Sequence, residues 1–128
     1  MLDLAGPAAN RQLALERTIK QWYVQGARKR LAQRVERWSG IAGWAPTGVL
    51  VRDQRRRWAS CSASGVLRFN WRVLMAPPAL IDYVVLHELV HLRIRLHSPA
   101  FWSEVARLMP DYRARRASLK ELGAWLAL

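Results

Sequence analysis

Four residues near the middle of the chain have the types and spacing of a hydrolytic metal site: His87, Glu88, His91 and, six residues further on, His97. Successive residues of a helix turn by about 100°, so His87 and His91 fall within about 40° of each other, one turn apart on one face. At that separation two imidazoles can share a tetrahedral Zn²⁺ at about 2.0–2.1 Å each. Glu88, one residue on, stands beside such an ion rather than on it, where its carboxylate can take a proton from water that the ion activates. The alternative is a pair of ordinary core histidines. It would leave Glu88 buried between them without a partner, at a cost of several kcal/mol, and a metal removes that objection.

His97 needs a different geometry. If the helix simply continued, its ring would lie about 120° off the face of the other two. It reaches the ion only if the helix ends soon after His91 and the chain turns back. Arg93 and Arg95 suit a C-terminal turn, and Ser98-Pro99 suits the start of a following helix. Glu104, on that next helix, is the competing third ligand. The short return loop favours His97, because closing it costs little entropy.

The elements that must hold these residues follow from periodicity. Ala79 to Leu92 is apolar nearly all round, as expected of a helix buried through the middle of a fold, and Pro77-Pro78 starts it. Upstream, Asn10 to Trp38 has the spacing of one long helix, with Leu13, Ile19, Trp22, Val24, Leu31, Val35 and Trp38 at mostly helical steps. Asn10 is its expected N-cap, and Gly26 is a place for a kink. Ser39 to Gly48 reads as a loop. The period then shortens to two: a first strand over Val49, Val51 and Asp53, a second over Arg56 to Ser62, a turn at Ala63-Ser64-Gly65, and a third strand over Val66 to Asn70. An antiparallel meander is the simplest arrangement of the three. Pro99 to Met109 and Tyr112 to Leu122 are two further helices, closed by Pro110 and Gly123.

The chain as a whole sets bounds. Its 128 residues, 52% hydrophobic and 23% charged, suit a globular protein with one core. We expect a single domain over 1–128, with a helical part and loop in 1–47 and a sheet carrying the H-E-x-x-H core in 48–123. One cysteine excludes an internal disulfide and fits a reducing compartment. The start, Met1-Leu2-Asp3-Leu4-Ala5-Gly6-Pro7, has no basic region of the secretory kind, and the apolar run around His87 is too short and too interrupted to span a bilayer. A cytoplasmic protein without a membrane span is the expectation. The net charge is +12, and 18 of the 21 basic residues are arginine. That surplus favours anionic partners in general, nucleic acid among them, without specifying one.

Several runs carry a family resemblance. They are Arg57 to Ser62, Leu67 to Arg72, Ala76-Pro77-Pro78, Asp82 to Leu89, His97 to Trp102, and Met109-Pro110-Asp111-Tyr112. Over roughly Val49 to Gly123 they resemble the YgjP-like metallopeptidases, relatives of the SprT-like and WLM zincin proteins. The resemblance implies an α+β, zincin-like fold: a small antiparallel sheet packed on an active-site helix, with a long N-terminal helix and C-terminal helices. It also implies zinc held at His87, His91 and His97, with Glu88 as catalytic base. Typical members have Gly where this chain has Ala59, and polar or Pro residues where it has Ile94 and Leu96. Full-length relatives also tend to carry additional N-terminal strands.

The expected function is therefore zinc-dependent hydrolysis of a peptide or protein substrate. Arg56 to Ser62 would pair with an extended peptide, Tyr83 and Tyr112 are possible oxyanion donors, and Cys61 is an extra ligand or a small buried hydrophobe. Two other readings use the same residues. A phosphate-ester or nucleotide hydrolase would clamp phosphates with Arg55, Arg56, Arg57, Arg68 and Arg72. A DNA-associated module would keep zinc for structure. A closed structural zinc needs four protein ligands, and the three visible here favour a catalytic site.

Overall fold

The helix that carries His87 and His91 is the element on which the others pack. In the computed structural model, which describes residues 6–53 and 57–123, the order is α1 (Gly6–Ala42), β1 (Gly48–Arg52), β2 (Ala59–Cys61), β3 (Val66–Asn70), a 3₁₀ turn (Trp71–Met75), α2 (Pro78–His91), α3 (Pro99–Leu108) and α4 (Tyr112–Gly123). Nine of the fourteen residues of α2 are buried, and the helix contacts α1, β2, α3 and α4. A helix walled on every side has no polar face to spare, which is why its sequence is apolar all round.

α1 is one continuous helix from Gly6 to Ala42. Asn10 lies inside it rather than at its cap, because Pro7 already supplies the fixed backbone angle that suits a first turn. Gly26 introduces no break, and Ser39 and Gly40 extend the helix into the predicted loop. It stops at Gly43, whose φ of +93° only glycine adopts readily, and whose N–H donates to the Ser39 carbonyl at 2.9 Å. Only its second half is a core element. Ala27, Leu31, Val35 and Trp38 are buried, whereas Leu13, Ile19 and Trp22, read from periodicity as an apolar face, stay exposed.

The sheet corrects the expected meander. Its order is β1-β3-β2; β2 pairs antiparallel with β3, but β1 pairs parallel with it, Gly48 opposite Val66 and Arg52 opposite Asn70. A staple just before both strands sets this register. Thr47 donates from its backbone to the Gly65 carbonyl and from its hydroxyl to the Ser64 carbonyl, each at 2.9 Å. Gly65 has φ +88°, and a Cβ there would meet the Thr47 hydroxyl at 3.3 Å. Residues 53–65 give enough chain for the parallel crossover. β3 takes the centre because Leu67 and Phe69, both fully buried, face the core. The second strand is also shorter than Arg56–Ser62; its first predicted residue lies outside the described residues.

Asn70 joins sheet to helix. It is fully buried. Its Nδ2 donates to the Arg57 carbonyl at 3.3 Å, and its Oδ1 accepts from the Arg72 backbone N–H at 3.1 Å, capping the 3₁₀ turn that leads into α2. On the far side of α2, Arg34 pairs with Asp82 at 2.5 Å, tying the first turns of the helix to α1.

Candidate metal centre

The last turn of α2 aims two imidazoles at one point and the following loop returns the third. Leu92 and Arg93 close the helix on the Leu89 and Val90 carbonyls. Seven residues after His91, Ser98 caps α3 by accepting from the Phe101 N–H at 3.3 Å, with Pro99 next. His97 therefore sits between two fixed helix ends. Its Nε2 is 2.9 Å from Nε2 of His91 and 3.2 Å from Nε2 of His87. One nitrogen from each of the three rings lies within 4.8 Å of the others.

These distances fit a metal. Two nitrogens bound at 2.0–2.1 Å to a tetrahedral ion are about 3.3–3.4 Å apart, close to the spacing seen. The protonation pattern fits as well. The Ile94 carbonyl can only accept, so His91 donates to it from Nδ1 at 3.0 Å, and its Nε2 is left with a lone pair toward the centre. Nδ1 of His87 lies 3.4 Å from the Tyr83 hydroxyl. Burial, with the neighbouring His91, His97 and Arg116 adding to it, lowers the His87 pKa to about 3. The His91 pKa is likewise lowered, chiefly by burial. Neutral imidazole is the ligating form.

A packed aromatic cluster holds the rings. Phe101, fully buried, has its ring centre 5.0 Å from His87, 4.4 Å from His91 and 5.0 Å from His97. Trp102 stacks on His97 at 5.7 Å and on Tyr112 at 5.5 Å. From beyond the helix, the Trp44 indole N–H donates to the Leu89 carbonyl at 2.7 Å, satisfying a carbonyl in the turn that carries the ligands. Reading the sequence misses Trp44, which lies in a glycine-rich loop without periodic signal.

Glu88 is 7% exposed. Desolvation raises its pKa to about 7, against the opposing pull of Arg57 and Arg95. It opens on a cleft of about 350 Å³ that the three histidines share and that Ala59, Ser60 and Cys61 wall on the sheet side, with Arg57 and Arg95 also on the lining. Cys61 thus faces the cleft, but its sulfur is outside the imidazole cluster. It interacts with the Ser62 carbonyl and Arg95 at 3.6 Å each, and burial pushes its thiol pKa up.

The other residues singled out in the sequence are placed elsewhere. Glu104 bonds to Arg107 and lines a separate hollow with Trp44 and Arg93. Tyr83 and Tyr112 are buried and do not line the cleft. Of the arginines considered for a phosphate clamp, Arg57 reaches the cleft. Arg72 instead pairs with Asp53 at 2.6 Å and covers Trp71, Arg68 does not line the cleft, and Arg55 and Arg56 lie outside the described residues.

Comparison with known proteins decides the family. The description "YgjP-like, metallopeptidase domain" matches residues 2–122. The chain belongs to the YgjP-like metallopeptidase family. The match reaches further than the resemblance over Val49 to Gly123 and takes in α1. Two solved structures share the fold. The metallopeptidase zymogen abylysin of Pyrococcus abyssi is 28% identical with a TM-score of 0.60, over 67% of this chain and 86% of that one. The metallopeptidase zymogen jannalysin of Methanocaldococcus jannaschii is 21% identical with a TM-score of 0.62, over 74% and 96%. No curated protein matches. The α+β architecture of this YgjP-like chain is thus that of metallopeptidases. Family and fold together support a metal-dependent peptidase. Among the described residues, no helix is long and apolar enough to cross a membrane.

Proposed function

We propose that this protein is a zinc-dependent peptidase in which His87, His91 and His97 hold the metal and Glu88 is the general base. The observation that carries the reading is the convergence of three imidazole Nε2 atoms beside one buried carboxyl that opens on the same cleft. Zinc bound by three protein ligands supplies a Lewis acid and lowers the pKa of water toward neutrality.

The chain's own residues supply the rest. Glu88 takes the proton of the attacking water and delivers it to the departing amine nitrogen. A carboxyl whose proton affinity is raised toward neutral pH is matched to both transfers. β2 is the edge strand of the sheet. Trp58 and Ser62 bond inward to Asn70 and Val66, so in the alternating ladder Ala59 and Cys61 turn their N–H and C=O groups outward. An extended peptide added there would lie along the wall of the cleft with its backbone beside Glu88.

The test is reversible dependence on metal. Purified protein should carry about one zinc per chain, cleave peptides from an internally quenched library, lose that cleavage with a chelator, and regain it when zinc is restored. Cleavage that survives complete removal of metal would refute the reading.

A further inference from the structure

We infer that the cleft selects peptides with acidic side chains flanking the bond to be cut, Arg57 being the residue that reads them and Arg95 the residue that fixes their register along β2. The inference rests on the peptidase reading above and adds to it a substrate class.

Arg57 and the three residues of β2, Ala59, Ser60 and Cys61, all line the cleft. The five residues from 57 to 61 span at most about 13 Å, enough to lie against about four residues of an added peptide. The Asn70 side chain holds the Arg57 backbone through its carbonyl. Among the described residues no carboxylate forms an ion pair with the Arg57 guanidinium. Among the described residues the only acid on the cleft lining is Glu88, which is buried and, on this reading, occupied with the proton transfers. A peptide in this groove therefore meets uncompensated positive charge at the Arg57 end. Both guanidinium charges act on the Glu88 carboxyl, so their field reaches the reacting centre. A peptide carboxylate can satisfy Arg57 with charge-assisted, bidentate hydrogen bonds, which a neutral amide cannot equal.

Arg95 has a different task. Its guanidinium donates to the carbonyl of Cys61 at 3.2 Å and to that of Ser62 at 3.0 Å. The first of these is an outward-facing group of the edge strand, one that an added peptide would otherwise use. The Ala59 N–H and C=O and the Cys61 N–H remain for the peptide; pairing stops at the Cys61 carbonyl. Because Arg95 stands between two of the proposed ligands, His91 and His97, the same side chain sets the distance from the paired strand to the metal-binding loop.

The experiment uses the full chain loaded with zinc and three internally quenched peptides blocked at both ends. They are identical except that Glu, Gln or Lys flanks the central residues; a fourth, neutral peptide carries a free C-terminus, to separate a terminal carboxylate from an acidic side chain. We expect kcat/KM to fall in the order Glu, Gln, Lys, with the Glu peptide favoured over the Gln peptide by about tenfold and the preference shrinking as salt is added. Arg57→Ala should bring the Glu-to-Gln ratio near one, Arg57→Lys should keep part of it, and Arg57→Glu should invert the order. Arg95→Ala should spread cleavage over neighbouring bonds, read by mass spectrometry of the products. Binding of the same peptides to zinc-loaded Glu88→Gln protein, followed by fluorescence anisotropy, gives a readout without turnover and should show the same order. Equal kcat/KM for the three blocked peptides, a ratio unmoved by Arg57→Ala, or preference for the free C-terminus alone would overturn the charge reading and leave the peptidase reading intact. Absence of both cleavage and binding for every peptide would overturn both.

Discussion

Phe101 offers the sharpest test of how the imidazole cluster is held. Its ring is fully buried and lies within 5.0 Å, centre to centre, of each of the three histidine rings. Truncating a buried Phe to Ala costs about 3–5 kcal/mol, a large part of the 5–15 kcal/mol typical of a whole domain, so Phe101→Ala would confound loss of the site with loss of the fold. Phe101→Leu is the informative change. It keeps an apolar side chain of similar size and should cost about 1–1.5 kcal/mol in urea unfolding of the metal-free protein. If the ring also orients the imidazoles, the zinc dissociation constant, measured by competition with a chelator, should rise about tenfold or more, as when the outer partners of metal ligands are removed. Free zinc at 100 times the wild-type dissociation constant then stabilises the wild type by about 2.7 kcal/mol and the variant by only about 1.4 kcal/mol. A variant that loses folding stability but binds zinc within twofold of wild type would show that Phe101 is core filling alone. The bonds to Ile94 and Tyr83 would then set the rings.

Three further outcomes follow from the packing. Asn70→Ala should destabilise by about 2–3 kcal/mol, since it strands the Arg57 carbonyl and the Arg72 N–H; a loss under about 0.5 kcal/mol in chemical unfolding would count against its role as the joint between sheet and helix. Trp44→Phe keeps an aromatic ring but removes the bond to Leu89, and should cost about 1 kcal/mol, an equal melting temperature being the contrary result. Side-chain bonds from Lys20 and then Arg72 lower the Asp53 pKa from 3.8 to about 2. A carboxyl whose folded pKa lies below its unfolded one adds stability that is full above about pH 4 and is lost as pH falls through about 2. For a side chain one-third exposed, screening reduces this to about 1 kcal/mol, so Asp53→Asn should be destabilised by that amount at pH 7 and by almost nothing near pH 2.

The sequence was most readable where chemistry and periodicity coincide. His87 and His91 share a face because a helix places residues four apart together, and the apolar surround of α2 announces its burial. The return of His97 could be anticipated from the need to end a helix before Ser98-Pro99. The sheet was less readable, because β1 and β3 are set parallel by Thr47 meeting Gly65, a contact between distant residues that leaves no period. For the same reason Arg95 reads only as a helix-terminal cation, although its guanidinium holds the end of β2. The exposed first half of α1 shows the converse: Leu13, Ile19 and Trp22 recur at helical steps without a core to enter.

The most direct measurement is made on Glu88→Gln beside the wild type, determining zinc content and peptide turnover on the same preparations. The amide is close to the carboxylate in shape but cannot accept the proton, so the variant should hold about one zinc per chain and show turnover lower by at least about a hundredfold. Undiminished turnover at full zinc occupancy would contradict the assignment of Glu88 as the base and, with it, the account of how this cleft works.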